Sequence, residues 1–137
     1  MKRIMAIDFG KKRVGVAITD PLCTISQPLL TIRPKSVTDL IQRLKCIVLE
    51  NDVGLIIVGN PISMKGEPTE MSREIERFIK RLKRHFDIRI ELWDERYLSR
   101  YAVSKLKGTG LSVRKKDVID RVAASIMLDE YLQAKRA

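Results

Sequence analysis

The hydrophobic positions of this chain of 137 residues follow two periods, one typical of strands and one typical of helices. Short apolar runs, and runs in which β-branched and small residues alternate, predict five strands at residues 4–7, 13–19, 25–32, 54–58 and 88–93. Apolar residues spaced three and four positions apart predict helices at residues 37–50, 71–85, about 98–106 and about 117–134. The chain is therefore predicted to be an α/β protein.

The order of these elements predicts how the strands join. The first three strands follow one another through short turns and should be antiparallel, while the last two follow helices and should run parallel to the first. A mixed five-stranded sheet in the order 3-2-1-4-5, with helices on both faces, satisfies both conditions. In such a sheet strands one, four and five end at the same edge, which is where open α/β sheets bind ligands. Residues 1–137 fit a single domain.

The first two strands form a hairpin, and Asp8 stands where its first strand stops. A carboxylate in that position needs a cation, a basic partner or water, because burying it alone is costly. Gly10 and Gly15 leave room beside it for a ligand or for another backbone, and we expect a phosphate backbone there. The simpler interpretation is that Asp8 ends the strand and accepts hydrogen bonds from the turn.

The final helix follows a segment, residues 107–116, that is rich in glycine and lysine and predicts a phosphate-binding loop or a plain connection. The small pair Ala123 and Ala124 should let the helix lie close to the sheet. A structural interpretation of Asp120 is that it completes a capping box with Asp117. The residues expected on the buried side of the helix are Val118, Ile119, Val122, Ala123, Ile126, Met127 and Leu132.

The charge balance indicates a polyanionic partner. Twenty-seven Lys and Arg residues stand against 17 Asp and Glu residues, which gives a formal net charge of +10. Basic side chains neutralise phosphates and release counterions, so nucleic acid is the first candidate, with a solvated basic surface as the alternative. Aromatic residues make up only 5% of the chain, which argues against a platform that stacks many bases.

Several other classes of protein are not expected. Cys23 and Cys46 lie far apart, and His85 is the single histidine, so we expect reduced cysteines and no zinc site. The chain shows no export leader and no apolar run of about 18 residues, so neither export nor membrane spanning is expected. A cytoplasmic protein is predicted.

Four acids are predicted to gather at one end of the sheet: Asp8, Asp94, Glu95 and Asp120. Converging carboxylates repel one another, and two Mg²⁺ or Mn²⁺ ions would relieve the repulsion and could cleave a phosphodiester bond. Strand five should lie about 10 Å from strand one, so a longer side chain is needed there, which favours Glu95 over Asp94 as the ligand. Asp94 could instead form a surface ion pair with Arg96.

Four motifs in order resemble the YqgF family, whose members carry the provisional names of pre-16S rRNA nuclease and Holliday junction resolvase. The motifs are DFGKKRVGVAITD at residues 8–20, VGNP at 58–61 with MKG at 64–66, DER at 94–96 with Ala102, and DRVAA at 120–124 with YL at 131–132. The resemblance covers essentially the whole chain. It implies a ribonuclease H-like fold and a metal-dependent nuclease with the catalytic residues Asp8, Glu95 and Asp120, Asp94 remaining an alternative metal ligand.

The resemblance also implies a function, namely hydrolysis of phosphodiester bonds in 5′-end maturation of pre-16S rRNA with Mg²⁺ or Mn²⁺ in a two-metal site. Many ribonuclease H-like nucleases carry an acid after strand four, where this chain has Asn60. The side chains expected to contact nucleic acid are Lys12, Arg13, Asn60, Arg96, Arg114, Lys115 and Lys116.

Three alternatives stay open from the sequence: a Holliday junction resolvase acting on branched DNA, a non-catalytic RNA- or ribosome-binding module, and a phosphotransferase of the actin-like kind. The last would need two such domains, and the chain has length for one. The small ribosomal subunit is a further candidate partner, and the protein could be a monomer or a homodimer. The sequence does not distinguish RNA from DNA as the substrate.

Overall fold

The computed structural model describes residues 2–60, 70–94 and 112–136 of the chain. The strands in these ranges are β1 (Arg3–Phe9), β2 (Val14–Thr19), β3 (Ser26–Ile32), β4 (Val53–Asn60) and β5 (Arg89–Asp94). The helices are α1 (Val37–Glu50), α2 (Glu70–His85) and α3 (Val113–Arg136). The predicted α/β class is confirmed. The helix predicted near residues 98–106 lies outside the described residues.

The strands form one five-stranded sheet in the order β3-β2-β1-β4-β5, as predicted. The pairs β1–β2 and β2–β3 are antiparallel because short turns join them. The pairs β1–β4 and β4–β5 are parallel because α1 and α2 carry the chain back across the sheet. Strands β1, β4 and β5 therefore end together, at what we call the C-terminal edge.

Alternate residues of each strand point to opposite faces, and the two faces bury different side chains. The face covered by α1 and α2, the α1/α2 face, is packed mainly with large aliphatic residues, among them Met5, Ile7, Val14, Val16, Leu40, Leu44, Ile56, Val58 and Leu82. The face covered by α3, the α3 face, has a smaller cluster of Ala6, Ala17, Ile57, Ala124, Met127, Leu128, Tyr131 and Leu132. Helices thus lie on both faces, as predicted.

Strands β4 and β5 extend further toward the C-terminal edge than predicted. The predicted ends are residues 58 and 93, whereas the strands end at Asn60 and Asp94. These two residues are partners in the parallel ladder, and the pairing continues both strands past the last apolar residue. Sequence periodicity does not detect such polar ladder positions because they have no apolar side chain to mark them.

Helix α3 begins at Val113 rather than near residue 117, so residues 113–116 are helical and not part of a loop. The physical reason is a cap by Ser112, whose hydroxyl accepts a hydrogen bond from the Lys115 N–H at 3.3 Å. Asp120 consequently lies inside the helix, and the interpretation of Asp120 as part of a capping box is wrong. The predicted loop retains only residues that precede Ser112, and these lie outside the described ranges.

The predicted buried side of α3 is partly wrong. Val118 and Val122 are 40% and 37% exposed, whereas Ala123, Met127 and Leu132 are buried as predicted. The side that meets the sheet is centred on Asp120, Ala124, Leu128 and Tyr131. The part of this side that carries Asp120 faces inward because Gly15 of β2 lets the helix backbone lie close to the strand there, while Leu128 and Tyr131 pack on the sheet further along the helix.

Among the described helices, none has a segment long and apolar enough to cross a membrane. Cys23 and Cys46 are free cysteines. The thiol of Cys23 donates a hydrogen bond to the carbonyl of Lys2 at 3.2 Å and accepts one from the Thr19 hydroxyl at 3.6 Å. Cys23 therefore has a structural role in the loop between β2 and β3.

Candidate active site

Strand β1 carries Asp8 to the C-terminal edge on the α3 face. Ile7 packs on the α1/α2 face and Ala6 on the α3 face, so strand alternation directs Asp8 toward α3. Asp8 is only 5% exposed. A carboxylate so deeply placed needs hydrogen bonds or positive charge around it, because desolvating an ionised group is costly.

Gly15 makes Asp8 and Asp120 neighbours. It is the partner of Asp8 in the antiparallel β1–β2 ladder, in which opposing Cα atoms lie roughly 4.5–5.5 Å apart. A Cβ added to Gly15 would lie 2.0 Å from the carbonyl oxygen of Asp120 and 2.9 Å from the backbone nitrogen of Arg121. Helix α3 therefore crosses β2 at a point where only glycine fits, directly beside Asp8. The close approach at Gly15 is to the α3 backbone, so the expectation of a phosphate backbone beside Gly15 is wrong.

Arg13 binds the second of these acids. Its Nε donates a hydrogen bond to Oδ2 of Asp120 at 2.6 Å, and the side chain of Asp120 is 4% exposed against 22% for that of Arg13. Charge-assisted hydrogen bonds of this kind are roughly twice as strong as neutral ones. The guanidinium thus supplies part of the positive charge that two adjacent carboxylates require.

Helix α3 is held in this position by polar contacts with β3. Ser26 shares a hydrogen bond of 2.7 Å with the hydroxyl of Ser125, and Arg33 forms an ion pair of 2.8 Å with Asp117. The hydroxyl of Thr31 also donates to the carbonyl of Asp117. These contacts with β3 fix the position of α3 along the sheet. They therefore determine which residue of α3 lies over Gly15.

The donor set at this edge fits a hard divalent cation. Asp8 and Asp120 bring carboxylate oxygens, which Mg²⁺ and Mn²⁺ prefer, and no Cβ at position 15 stands between them. Within the described residues, no three His, Cys, Asp or Glu side chains form a group that could hold a metal ion. The predicted ligand Glu95 lies outside the described residues.

Asp94 lies apart from the Asp8 and Asp120 pair. The preceding residue, Trp93, packs with the α3 cluster, so alternation turns Asp94 to the opposite face. Its Oδ1 accepts a hydrogen bond from Nδ2 of Asn60 at 3.0 Å. Asp94 is therefore hydrogen-bonded to Asn60 on the face of the sheet opposite to Asp8.

Asn60, where related nucleases carry an acid, does not face the two acids. It pairs with Asp94 at the end of β4, and its other amide atom, Oδ1, is buried with no hydrogen-bond partner in the described part of the chain. Asn60 therefore keeps one acceptor that a substrate or another segment could use.

The predicted phosphate-binding residues differ in their distance from the acids. Lys12 is exposed in the turn between β1 and β2, next to Arg13. Lys116 is half-buried on α3 and precedes Asp120 by four positions, which places the two on the same side of the helix.

The remaining predicted phosphate-binding residues do not share that placement. Arg114 and Lys115 are exposed in the first turns of α3, and the rotation of the helix turns them away from the side that carries Asp120. Arg96 lies outside the described residues. Of the predicted phosphate-binding residues that the structure describes, those placed on the side of the acids are thus Lys12 and Arg13 of the β1–β2 turn and Lys116.

The ion pair between Arg13 and Asp120 was missed by sequence reasoning. Sequence reasoning assigned Arg13 to phosphate and Asp120 to metal, and it did not join them, since the residues are 107 positions apart. Strand and helix periodicity predicts which elements form but not the rotation of a helix about its own axis. The one available signal was glycine at position 15, which marks a close backbone approach.

Comparison with known sequences identifies relatives over nearly the whole chain. A profile of the RuvX family, described as Holliday junction resolvase, matches residues 2–134. A protein of Thermoanaerobacter pseudethanolicus is 40% identical over 136 residues, which cover 98% of each chain. A protein of Chlorobium phaeobacteroides is 41% identical over 137 residues, covering 97% of this chain and 93% of its own. Both relatives carry the provisional name pre-16S rRNA nuclease.

Solved structures of low sequence identity share the fold. T. thermophilus RuvC in complex with a Holliday junction substrate superposes with a TM-score of 0.62 at 11% identity, covering 100% of this chain and 97% of that one. The fowlpox virus Holliday junction resolvase gives a TM-score of 0.51 at 16% identity, covering 96% and 99%. The predicted ribonuclease H-like fold is confirmed.

The family match and the two relatives agree with the class of enzyme that the acids predicted, a hydrolase acting on phosphodiester bonds of nucleic acid. The relatives are well above 30% identity and align over almost their full length, so the assignment does not depend on one motif. The chain belongs to the RuvX family of Holliday junction resolvases.

Proposed function

We propose that this nuclease cleaves a phosphodiester bond at the C-terminal edge, with Asp8, Asp120 and Glu95 as its catalytic residues. The observation that carries the proposal is the juxtaposition of two nearly buried carboxylates across Gly15, where the backbone of α3 lies close to β2. Two such acids are costly to bury for packing alone. Their position at the end of β1, at the ligand-binding edge of an α/β sheet, supports a catalytic role.

Mg²⁺ or Mn²⁺ is the proposed cofactor, in a two-metal site held by Asp8, Asp120 and Glu95, with Asp94 the weaker candidate because it faces Asn60. When bound, such ions supply charge neutralisation and lower the pKa of bound water. The chain's own groups orient the substrate. Arg13 donates its Nε–H to Asp120, and the other N–H groups of its guanidinium can donate to a phosphate oxygen.

The proposed substrate is the 5′ region of pre-16S rRNA. The names of the relatives support this choice, and the net charge of +10 supports a polyanion in general. This substrate would place the enzyme in the cytoplasm, in contact with the assembling small ribosomal subunit. A second candidate, branched DNA, is favoured by the description of the family that the chain matches.

The test compares cleavage of a pre-16S rRNA 5′ fragment and of a four-way DNA junction by wild type, Asp8→Asn and Asp120→Asn, each with Mg²⁺ and with Mn²⁺. We expect each variant to lose at least about a thousand-fold in rate, since the acids hold the groups that stabilise transition-state charge. Circular dichroism and thermal unfolding check that both variants fold.

Asp52→Asn is the matched control. Asp52 is exposed, precedes β4 at the opposite edge of the sheet, and has a positive φ of 52°, which asparagine also adopts readily. This variant should cleave at the wild-type rate. Cleavage by Asp8→Asn at the wild-type rate would refute the assignment of the site. Cleavage of the junction but not of the rRNA fragment would replace the first substrate by the second.

A further inference from the structure

A second cationic surface lies on the α1/α2 face, beyond the end of β1. It is a groove of about 430 Å³, a size found in sites for small ligands, and it is lined by Phe9, Lys11, Val37, Arg77, Phe78 and Arg81. We call it the basic groove. Phe9 directly follows Asp8 in β1, but its side chain packs on the opposite face of the sheet. The groove thus starts next to the two acids without being part of their site.

Positive charge dominates the basic groove. Lys11 and Arg77 are exposed, and half-buried Arg81 donates a hydrogen bond of 3.4 Å to the hydroxyl of Thr38 across the groove. Glu74 is the acid in the lining, so three cations face one carboxylate. The four ion pairs found in the described ranges involve none of these three cations. A lining with this excess of positive charge attracts a polyanion.

Aromatic rings at the bottom of the groove distinguish it from a solvated helix face that carries charge alone. The rings of Phe9 and Phe78 stack with centroids 4.6 Å apart and planes 20° apart. Phe78 is buried, whereas Phe9 is partly buried against the core and lines the groove beside Val37. Cations above an aromatic surface are the combination that binds single-stranded nucleic acid, since bases stack on the ring while phosphates meet the cations.

The groove is continuous with the turn that leads to the acids. A neighbouring hollow of about 320 Å³ is lined by Gly10, Lys11, Lys12, Arg13 and Met71, and it shares Lys11 with the groove. Arg13 in turn contacts Asp120. A line of cations therefore runs from the second acid, over the β1–β2 turn, to α2.

We infer that the basic groove binds the unpaired nucleotides that flank the cleaved bond, and so directs the enzyme to single-stranded segments of its substrate. The inference rests on the proposed function in taking the Asp8 and Asp120 site as the point of cleavage. A fully paired duplex keeps its bases stacked inside and cannot place one on Phe9. The spacing of charges along α2 thus has a role that the amphipathic pattern alone does not indicate.

The test measures binding of a fluorescent single-stranded oligonucleotide, and of a duplex of the same length, in EDTA with the Asp8→Asn protein as background. Arg77→Gln with Arg81→Gln should weaken single-strand binding about tenfold. It should also reduce the slope of log K against log salt by about 1.4, since each phosphate contact on a single strand contributes about 0.7. Duplex affinity should change less. Phe9→Leu should weaken single-strand binding about five-fold and leave the salt slope unchanged.

Lys80→Gln with Arg84→Gln is the matched control. It removes the same charge at the same spacing from exposed positions of α2 that do not line the groove. An equal loss of affinity in both double variants, or an equal loss for duplex and single strand, would overturn the inference and leave a diffuse electrostatic effect. Unchanged binding in the Arg77 and Arg81 variant would also overturn it.

Because these measurements use no metal and no cleavage, they separate the two proposals. If the Arg77 and Arg81 variant loses single-strand binding while the wild-type enzyme cleaves neither substrate with either metal, the groove is supported and the proposed function is refuted. If instead the Arg77 and Arg81 variant binds single strands normally and cleaves the rRNA fragment normally, the proposed function is supported and the role of the groove is refuted.

Discussion

The two faces of the sheet are built from the same five strands, yet they differ in how closely a helix approaches a strand. On the α1/α2 face, large side chains such as Leu44 and Ile56 are fully buried between the sheet and two helices. The α3 face also buries large side chains, Leu128 among them, but near the acids it carries Gly15 and Ala124. At Gly15 the backbone of α3 meets the backbone of β2.

This difference explains where the acids are. A buried carboxylate is tolerated where a cation, donor groups or a metal can reach it, and not inside a layer of aliphatic side chains. Fully burying one leucine or isoleucine contributes roughly 1.5–3 kcal/mol, so the α1/α2 face can carry much of the stability. The α3 face can then hold Asp8 and Asp120 side by side. Stability and chemistry are thus assigned to opposite faces of one sheet.

The strongest test of this division is Gly15→Ala. Its Cβ would meet the Asp120 carbonyl at 2.0 Å, so α3 must move away and separate Asp120 from Asp8. We expect a loss of cleavage of about a hundred-fold, because a displacement near 1 Å at a catalytic group has that effect. Stability should fall by about 1–3 kcal/mol, as for other overpacked contacts. Cleavage rates and urea unfolding measure the two effects.

Gly54→Ala is the control for this experiment. The added Cβ would lie 2.6 Å from the Cβ of Lys2, which moves only with the Lys2 backbone, so this variant also forces a shift, but at the edge of the sheet opposite to the acids. Stability should fall as for other overpacked contacts, while the cleavage rate per folded molecule should stay close to wild type. A similar loss of activity in both alanine variants would show that the α3 contact has no special role.

Leu44→Ala tests the other face. Leu44, on α1, is fully buried, and its truncation should lower the free energy of unfolding by about 2–5 kcal/mol. The cleavage rate per folded molecule should stay at the wild-type value, because Asp8 and Asp120 lie on the other face of the sheet. Leu49→Ala, on the same helix but 82% exposed, should change stability by less than about 0.5 kcal/mol. Loss of cleavage in a fully folded Leu44 variant would contradict the division between faces.

Arg13→Gln sharpens the account of the acidic pair. Without metal, the free energy of unfolding of the variant should be about 1–3 kcal/mol lower than that of wild type, because the substitution removes the charged partner of a nearly buried carboxylate. Mn²⁺ should then raise the melting temperature more in the variant than in wild type, since the ion no longer competes with a guanidinium. Differential scanning calorimetry with and without Mn²⁺ measures both effects.

Arg33→Gln is the control, because its ion pair with Asp117 on the same helix is much more exposed. Such surface pairs contribute about 0–1 kcal/mol, and the response to Mn²⁺ should match wild type. If the Arg13 and Arg33 variants respond equally to Mn²⁺, the guanidinium of Arg13 does not compete for the metal site.

The smallest effect is expected for an acid at the opposite edge of the sheet. The pKa of Asp20 is lowered from 3.8 to about 2, first by the hydrogen bond from the Ile25 N–H and then by that from the Thr24 hydroxyl. Because the folded pKa is depressed, the carboxylate stabilises the loop above pH 3.8, and this contribution is lost as the pH falls toward about 2.

Asp20→Ala should therefore lower the melting temperature by a few degrees at pH 6, and the difference from wild type should shrink toward pH 2. Asp20→Asn, which keeps one acceptor oxygen, should lose less. Cleavage should be unchanged in both, since Asp20 lies far from the C-terminal edge. A difference that stays constant over the whole pH range would show that the carboxylate charge is not what stabilises the loop.

Much of the fold is local in origin and could be predicted from the sequence. The two periods of apolar residues predicted every described strand and helix, and the lengths of the connections predicted the strand order. Helix α1 begins at Val37 as predicted, and it is capped by Ser36, whose hydroxyl accepts a hydrogen bond from the Asp39 N–H at 3.0 Å. Element ends were less accurate where polar ladder residues such as Asn60 and Asp94 extend the strands.

The least accurate prediction was the orientation of α3. Val118 and Val122 satisfy the apolar period as well as any residue, yet they are exposed, because the opposite side of the helix, which carries Asp120, fits closely against the strand surface at Gly15. The inward side is selected by fit to that surface, and fit is a property of two elements together. For the same reason the sequence did not predict that Arg13 and Asp120 bind each other.

The sequence by itself determined the class of fold, the order of the sheet and the family, because each depends on local periodicity, on connection length or on motifs that can be compared directly. The tertiary structure decided which acids become neighbours. It brought Asp120 onto Gly15 beside Asp8, turned Asp94 toward Asn60, and opened a cationic groove above Phe9. Those outcomes depend on how closely one helix can approach one strand, which is set by the side-chain volume on both surfaces at once.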